Sequence, residues 1–140
     1  MVSNVLSIKH LDPEQLLSKI YGYLSHYMME LYEYNNEAKK HGFYLKPVHI
    51  VVKKNSSGDK VKYYYFGRYW YKIIPVKRKN RRSIKWVYVG KNKPLNNLPD
   101  PPRNPLEGLV IKISNEVIEI ISSNKNILEN IRKLLRETSQ

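Results

Sequence analysis

The sequence contains no cysteine. Disulfides, thiolate metal sites and a cysteine nucleophile are thereby excluded, and a reducing compartment suits the chain. No stretch approaches the ~18 uninterrupted apolar residues of a membrane-spanning helix. The opening MVSNVLSIKHLDPEQ has no basic start followed by an apolar run, so no signal peptide is expected and the chain is read as cytoplasmic. No glycine-rich phosphate loop and no serine elbow occurs. The histidines, His10, His26, His41 and His49, are scattered without a metal-ligand pair at short spacing. His26, Glu30 and Glu33 share one helical face, but that spacing is also what the wet side of an amphipathic helix looks like. Asp100 and Glu107 lack the lysine spacing of a nuclease core, and none of the twelve tyrosines has an attendant cluster that marks a nucleophile. Neither a catalytic centre nor a metal or other cofactor is expected.

Acidic residues are scarcest in the middle of the chain. Between Lys46 and Lys93 there are 15 lysines and arginines and one carboxylate, Asp59. The whole 140-residue chain carries a net charge of +13, so this third holds all of the excess and the remainder is near neutral. Charge concentrated in this way is the footprint of a polyanion binder. The length leaves room for one domain, or one with a small appendage. Richness in Lys, Ile, Tyr and Asn suggests an AT-biased genome.

The expected fold class is α+β. Residues 1–43 form a helical segment, with one long helix over 13–40 begun by Asp12 and Pro13 and completed as a capping box by Gln15. Gly42 ends it. Leu17, Ile20, Tyr21, Leu24, Tyr27, Met28, Leu31 and Ala38 share its apolar face, with His26, Glu30, Glu33 and Glu37 opposite. The seven-residue recurrence of Leu17, Leu24, Leu31 and Ala38, with Asn35 alongside, resembles a coiled-coil seam. The apolar face is too broad for a two-stranded zipper, and packing on a sheet or in a bundle is preferred. Residues 44–93 then switch to a period of two and form a basic three-stranded antiparallel meander, with strands over 45–54, 60–76 and 84–90. Residues 94–106 hold five prolines and read as an extended linker. Residues 107–140 give a second hairpin turning at Ser114, Asn115 and Glu116, then a terminal helix with Ile127, Leu128, Ile131, Leu134 and Leu135 on its apolar face.

The stretch KYYYFGRYWYK, residues 62–72, carries the chemistry. Strand alternation puts Lys60, Lys62, Tyr64, Phe66, Arg68, Trp70 and Lys72 on one side, and Val61, Tyr63, Tyr65, Gly67, Tyr69 and Tyr71 on the other. The first side alternates cations with rings and is expected to be the contact surface, since cations bind phosphate and rings stack on bases or pack on sugars. The uncharged side is expected to support the sheet against the long helix. A bulge at Gly67 would move Arg68 and Trp70 to the face opposite Lys62 and Tyr64. Beyond this strand KRKNRR, residues 77–82, reads as a basic loop with five cations in six positions, and Lys85, Lys91 and Lys93 extend the positive region.

KYYYFGRYWYK followed by RSIKWVYVGKNKP resembles the tyrosine- and lysine-rich meander of the N-terminal arm-type domains of archaeal virus integrases. The matching positions are Lys62 to Lys72 and Lys85 to Lys91, about a quarter of the chain. The resemblance implies DNA binding by a small three-stranded sheet, laid in the major groove. The chain has no room for a recombinase catalytic domain and no histidine that begins a His-x-x-Arg step. A stand-alone binding module from an archaeal chromosome, virus or other mobile element is what the kinship implies.

The expected function is non-enzymatic nucleic-acid binding, with double-stranded DNA ahead of RNA. Lys60, Lys62, Arg68, Lys72, Lys77, Arg78, Lys79, Arg81, Arg82 and Lys85 would meet phosphate, and Tyr64, Phe66 and Trp70 would supply flat packing surfaces. A homodimer through the N-terminal or C-terminal helix would double the cationic patch. The alternative is an inhibitor or adaptor, such as a viral anti-defence protein, whose basic face docks on an acidic or nucleic-acid-binding protein partner. A third, a small nuclease, predicts degradation with magnesium.

Overall fold

In the computed structural model, which describes residues 4–9, 12–115 and 117–136, three helices lie against one face of a six-stranded antiparallel sheet. His10 and Glu116 lie outside the described residues. Asp12 starts α1 (Pro13–Tyr23) by accepting the Glu14 N–H at 3.2 Å, and Pro13 needs no partner for its nitrogen. The single long helix expected over 13–40 is instead two, α1 and α2 (Ser25–Lys40). They meet at Leu24, whose φ of −86° and ψ of 3° leave the helical region. Hydrogen bonds still bridge the step, Leu24 N–H to Ile20 O at 3.0 Å and Met28 N–H to Leu24 O at 2.8 Å. Gly22 and Ser25 flank it, the kind of pair at which helices bend. Bending there keeps Leu16, Ile20, Leu24, Tyr27, Leu31 and Ala38 all buried. Gly42, at φ +83°, ends α2 with Lys39 and Lys40 in the last turn, where cations favour the negative helix end.

The meander forms as β2 (Phe43–Lys54), β3 (Lys60–Arg78) and β4 (Arg81–Gly90), but it does not stand alone. The second hairpin, β5 (Val110–Ser114) and β6 (Val117–Ser122), joins it by pairing β5 with the first residues of β3, Tyr63 opposite Lys112 and Tyr65 opposite Val110. A strand that sequence periodicity did not flag, β1 (Asn4–Lys9), adds to β6. The order is β1-β6-β5-β3-β2, and β4 takes the far half of the β3 edge that β5 leaves free. The expected three-stranded sheet is therefore one of six strands.

The terminal helix α3 (Lys125–Arg136) buries Ile127, Leu128 and Ile131, with Leu134 and Leu135 packed partly against them. Together with α1 and α2 it closes over Leu45, Tyr64, Phe66, Trp70, Ile111, Ile118 and Ile120 in one continuous cluster. The proline-rich segment contributes to that cluster through Leu95, Leu98 and Leu106, so it is packed onto the domain and is not the expected extended linker. Tyr34 on α2 holds it by donating to the Pro99 carbonyl at 2.7 Å. Asn35 is no seam residue. Its buried amide donates to the Leu45 carbonyl and accepts the Leu45 N–H, both at 2.9 Å, clamping α2 to β2. No described helix is long and apolar enough to cross a membrane.

Candidate nucleic-acid interface

Alternation along β3 sorts its residues into two faces, and the helices decide which face is closed. Tyr64, Phe66 and Trp70, expected on the contact surface, are 6%, 2% and 0% exposed. They lie in the core beneath α1 and α2, with Tyr34 edge-on to Trp70 at 6.0 Å. Buried rings cannot meet a ligand, so these three are corrected to core residues. The lysines of the same face escape because their strand positions lie at its margins. Lys60 and Lys62 sit beyond the packed centre, exposed, with the Lys62 ammonium 5.2 Å from the Tyr64 ring. Lys72 is exposed beyond Trp70. Arg68 is exposed but engaged, its Nε 2.7 Å from a Glu107 carboxylate oxygen.

A bulge does fall beside Gly67: Lys46 pairs with Tyr69 and Val48 with Phe66, so Pro47 faces two residues, Gly67 and Arg68. It does not swap the faces of β3, because Trp70 stays with Tyr64 and Phe66 in the core. The irregularity is absorbed by β2, where Leu45 and Val48 both turn inward while Lys46 and His49 both reach the other side. Buried Asn104 fills the gap, its amide donating to the Pro47 carbonyl at 3.2 Å and the Gly67 carbonyl at 3.1 Å. Orphaned carbonyls at the bulge are thereby satisfied.

The face away from the helices holds a second aromatic assembly. Sequence reasoning gave it a supporting role, and the rings of β2 and β4 that complete it went unnoticed. His49 stacks on Tyr69 at 5.3 Å and Tyr88 lies 6.4 Å from His49, while Tyr44 and Tyr71 meet Trp86 edge-on at 5.1 and 6.3 Å. The Lys46 ammonium sits among them, 4.6 Å from the Tyr71 ring and 5.0 Å from that of Trp86, as a cation–π contact. Lys53 and Lys112 approach Tyr63 at 5.3 and 5.9 Å. Burial, followed by the neighbouring phenol Tyr88, raises the Tyr69 and Tyr71 hydroxyls above their ordinary value. The signal for this face was the alternation Ile84, Trp86, Tyr88 in the last basic strand, in register with Pro75, Ile73 and Tyr71.

Past Lys72 the chain leaves the sheet. β2 begins opposite Lys72, so apart from the Ile73 N–H, which donates to the Gly42 carbonyl at 2.8 Å, Ile73–Arg78 and Arg81–Trp86 pair only with each other and project as a two-stranded ribbon. Six residues per strand make it about 20 Å long. Lys79, at φ +50°, turns its tip. Lys77, Arg78, Lys79, Arg81, Arg82 and Lys85 are all exposed on this ribbon. Register sets Lys77 opposite Arg82 and Arg78 opposite Arg81. Strands β2, β3 and β4 together hold twelve lysines and arginines and no carboxylate.

The His26, Glu30 and Glu33 face does not gather into a metal site: His26 pairs with Glu30 at 2.7 Å, and no group of three or more metal-binding side chains occurs among the described residues. No family model, curated protein or solved structure matches the chain. What the ribbon and the aromatic face do has to be taken from their own geometry.

Proposed function

We propose that this protein binds nucleic acid without catalysing a reaction, double-stranded DNA ahead of RNA, and that the β3–β4 ribbon is the element that enters the groove. The observation that carries this is the pairing of Lys77 with Arg82 and Arg78 with Arg81 across a ribbon that has no carboxylate. Like charges set directly opposite destabilise a strand pair. Phosphates on either side reverse the sign of that interaction and release their counterions. A two-stranded ribbon also has the cross-section that the major groove admits. Lys60, Lys62 and Lys72 lie on the helix-covered side and would add long-range attraction, whereas Arg68 is held by Glu107.

Fluorescence anisotropy with a 20-base-pair duplex tests the proposal. Six ribbon cations meeting six phosphates predict a loss of affinity of ~10³-fold between about 50 and 200 mM salt. Replacing Lys77, Arg78, Lys79, Arg81 and Arg82 together by Gln should flatten that dependence. Absence of binding, or binding indifferent to salt, overturns the proposal. Capture of one acidic protein that survives nuclease treatment, with no affinity for DNA, would assign the ribbon to a protein surface instead.

A further inference from the structure

Duplex phosphates account for the ribbon but not for the ring-lined face at its base. An uncovered antiparallel sheet face is ordinarily polar. Here Trp86 and Tyr88 remain 41% and 49% exposed, and Ile84 beside them 58%. Trp86 and Tyr88 are two residues apart on β4, so both rings stand on one face, about 7 Å apart along the strand. That is comparable with the step of one nucleotide in a stretched backbone. Tyr44 and Tyr71 meet Trp86 from the neighbouring strands, His49 and Tyr71 meet Tyr88, and Lys46 places a positive charge 5.0 Å from the Trp86 ring.

We infer that Trp86 and Tyr88 stack unpaired bases, so that the preferred ligand is a duplex carrying a single-stranded extension. The inference rests on the nucleic-acid reading above and specifies its ligand. A closed duplex presents phosphates and base edges to a protein surface; only unpaired bases present their π-faces. The charge fits a phosphodiester strand as well. Lys46 lies 5.0 Å from the Trp86 ring, Lys53 and Lys112 lie at Tyr63 further along the same face, and strands β2, β3 and β4 hold no carboxylate. Glu119 on neighbouring β6 lies 4.0 Å from Lys112, which offsets its charge.

The experiment compares a blunt 20-base-pair duplex with the same duplex bearing a ten-thymidine 3′ extension. The extension should tighten binding about tenfold, the equivalent of one or two stacked bases. In Trp86→Ala/Tyr88→Ala, checked for folding by its thermal melt, the affinity ratio should drop to about one. Trp86→Phe/Tyr88→Phe, which keeps both rings, should retain it. Tryptophan emission gives an independent readout: bound oligothymidine should quench the wild type, whereas Trp86→Phe leaves only buried Trp70 and should show no quenching. Binding to the blunt duplex with no gain from the extension overturns this inference and leaves the ribbon proposal standing. Failure to bind either duplex overturns both. An undiminished gain in the double-alanine variant assigns the extension to another surface and overturns the role of these rings.

Discussion

Tyr64 and Tyr65 are chain neighbours, yet they belong to different environments. Tyr64 lies under the helices with Phe66 and Trp70, in a cluster finished by leucines and isoleucines from every helix. Tyr65 faces the other way, where His49 lies 6.5 Å from it and Tyr63 stacks beside it at 5.9 Å. The two faces of β3 draw on the same residue types, and the covered one has the more charges. What separates them is supply: α1, α2 and α3 bring apolar side chains to one side, and no described helix covers the other. Lysines on the covered side are tolerated because they sit at its margins, where a long stem follows the apolar surface and the ammonium reaches water. Charge along a strand is therefore a poor guide to which of its faces is solvated.

The most disruptive way to probe this contrast is to remove one tryptophan from each side. Trp70→Ala should lose ~3–5 kcal/mol in a urea unfolding curve, as expected for an emptied core site. Trp86→Ala should lose about 1 kcal/mol or less, because its ring is already in contact with water. Comparable losses would mean that the open-face rings form a second core. Next in size is the bulge that keeps the faces in place. Asn104→Ala leaves the Pro47 and Gly67 carbonyls and the Leu106 N–H without their partner, and stability should fall by about 2 kcal/mol.

A third test concerns the phenols of the covered side. Burial, with a smaller contribution from Glu107, pushes the Tyr27 hydroxyl up to about 12, and no hydrogen-bond partner meets it among the described residues. The folded protein keeps a proton that the unfolded chain releases near pH 10. Stability is thus intact below pH 10 and falls as pH rises towards 12, by roughly 2 kcal/mol in all. Tyr27→Phe should remove this alkaline loss and gain up to about 1 kcal/mol at neutral pH, since an unpaired buried hydroxyl is replaced by hydrogen. The smallest effect is expected at Gly67. Its φ is not left-handed, and an added Cβ would meet the Tyr69 ring at an ordinary 3.5 Å. Gly67→Ala should change stability by less than about 1 kcal/mol. A large loss would show that the glycine, rather than Pro47 and Asn104, sets the bulge.

Local periodicity made much of the fold legible. The three basic strands, the second hairpin and the apolar stripe of α3 all follow from alternation or from helical spacing, and Asp12, Pro13 and Gly42 mark the helix limits. Three features depend on contacts between distant residues and left little local trace. Leu24 breaks the helix so that one apolar stripe can follow a curved core. Tyr63 and Tyr65 meet β5 across nearly fifty residues of chain, and β1 is a short strand that gains its partner from β6. For the ribbon, residues 77–82 read from composition as a basic loop, whereas Lys77, Arg78, Arg81 and Arg82 lie on β3 and β4 and Lys79 turns between them. Parity separated the two ring sets correctly, but it carries no information about which set the helices cover. Gly67 was the right place to look for an irregularity, yet its effect is expressed one strand away, at Pro47.

Asn35 has one more consequence. β2 is the last strand on its side of the sheet, and tyrosine-rich β-structure with an open rim is a template on which further chains can add. By occupying both the N–H and the carbonyl of Leu45, the Asn35 amide takes up one rung of that template with a side chain that cannot propagate it. Lys53 and Lys54 at the far end of β2 discourage a second copy by repulsion. A change that frees this rung at Asn35 should therefore be expressed as self-assembly at high concentration.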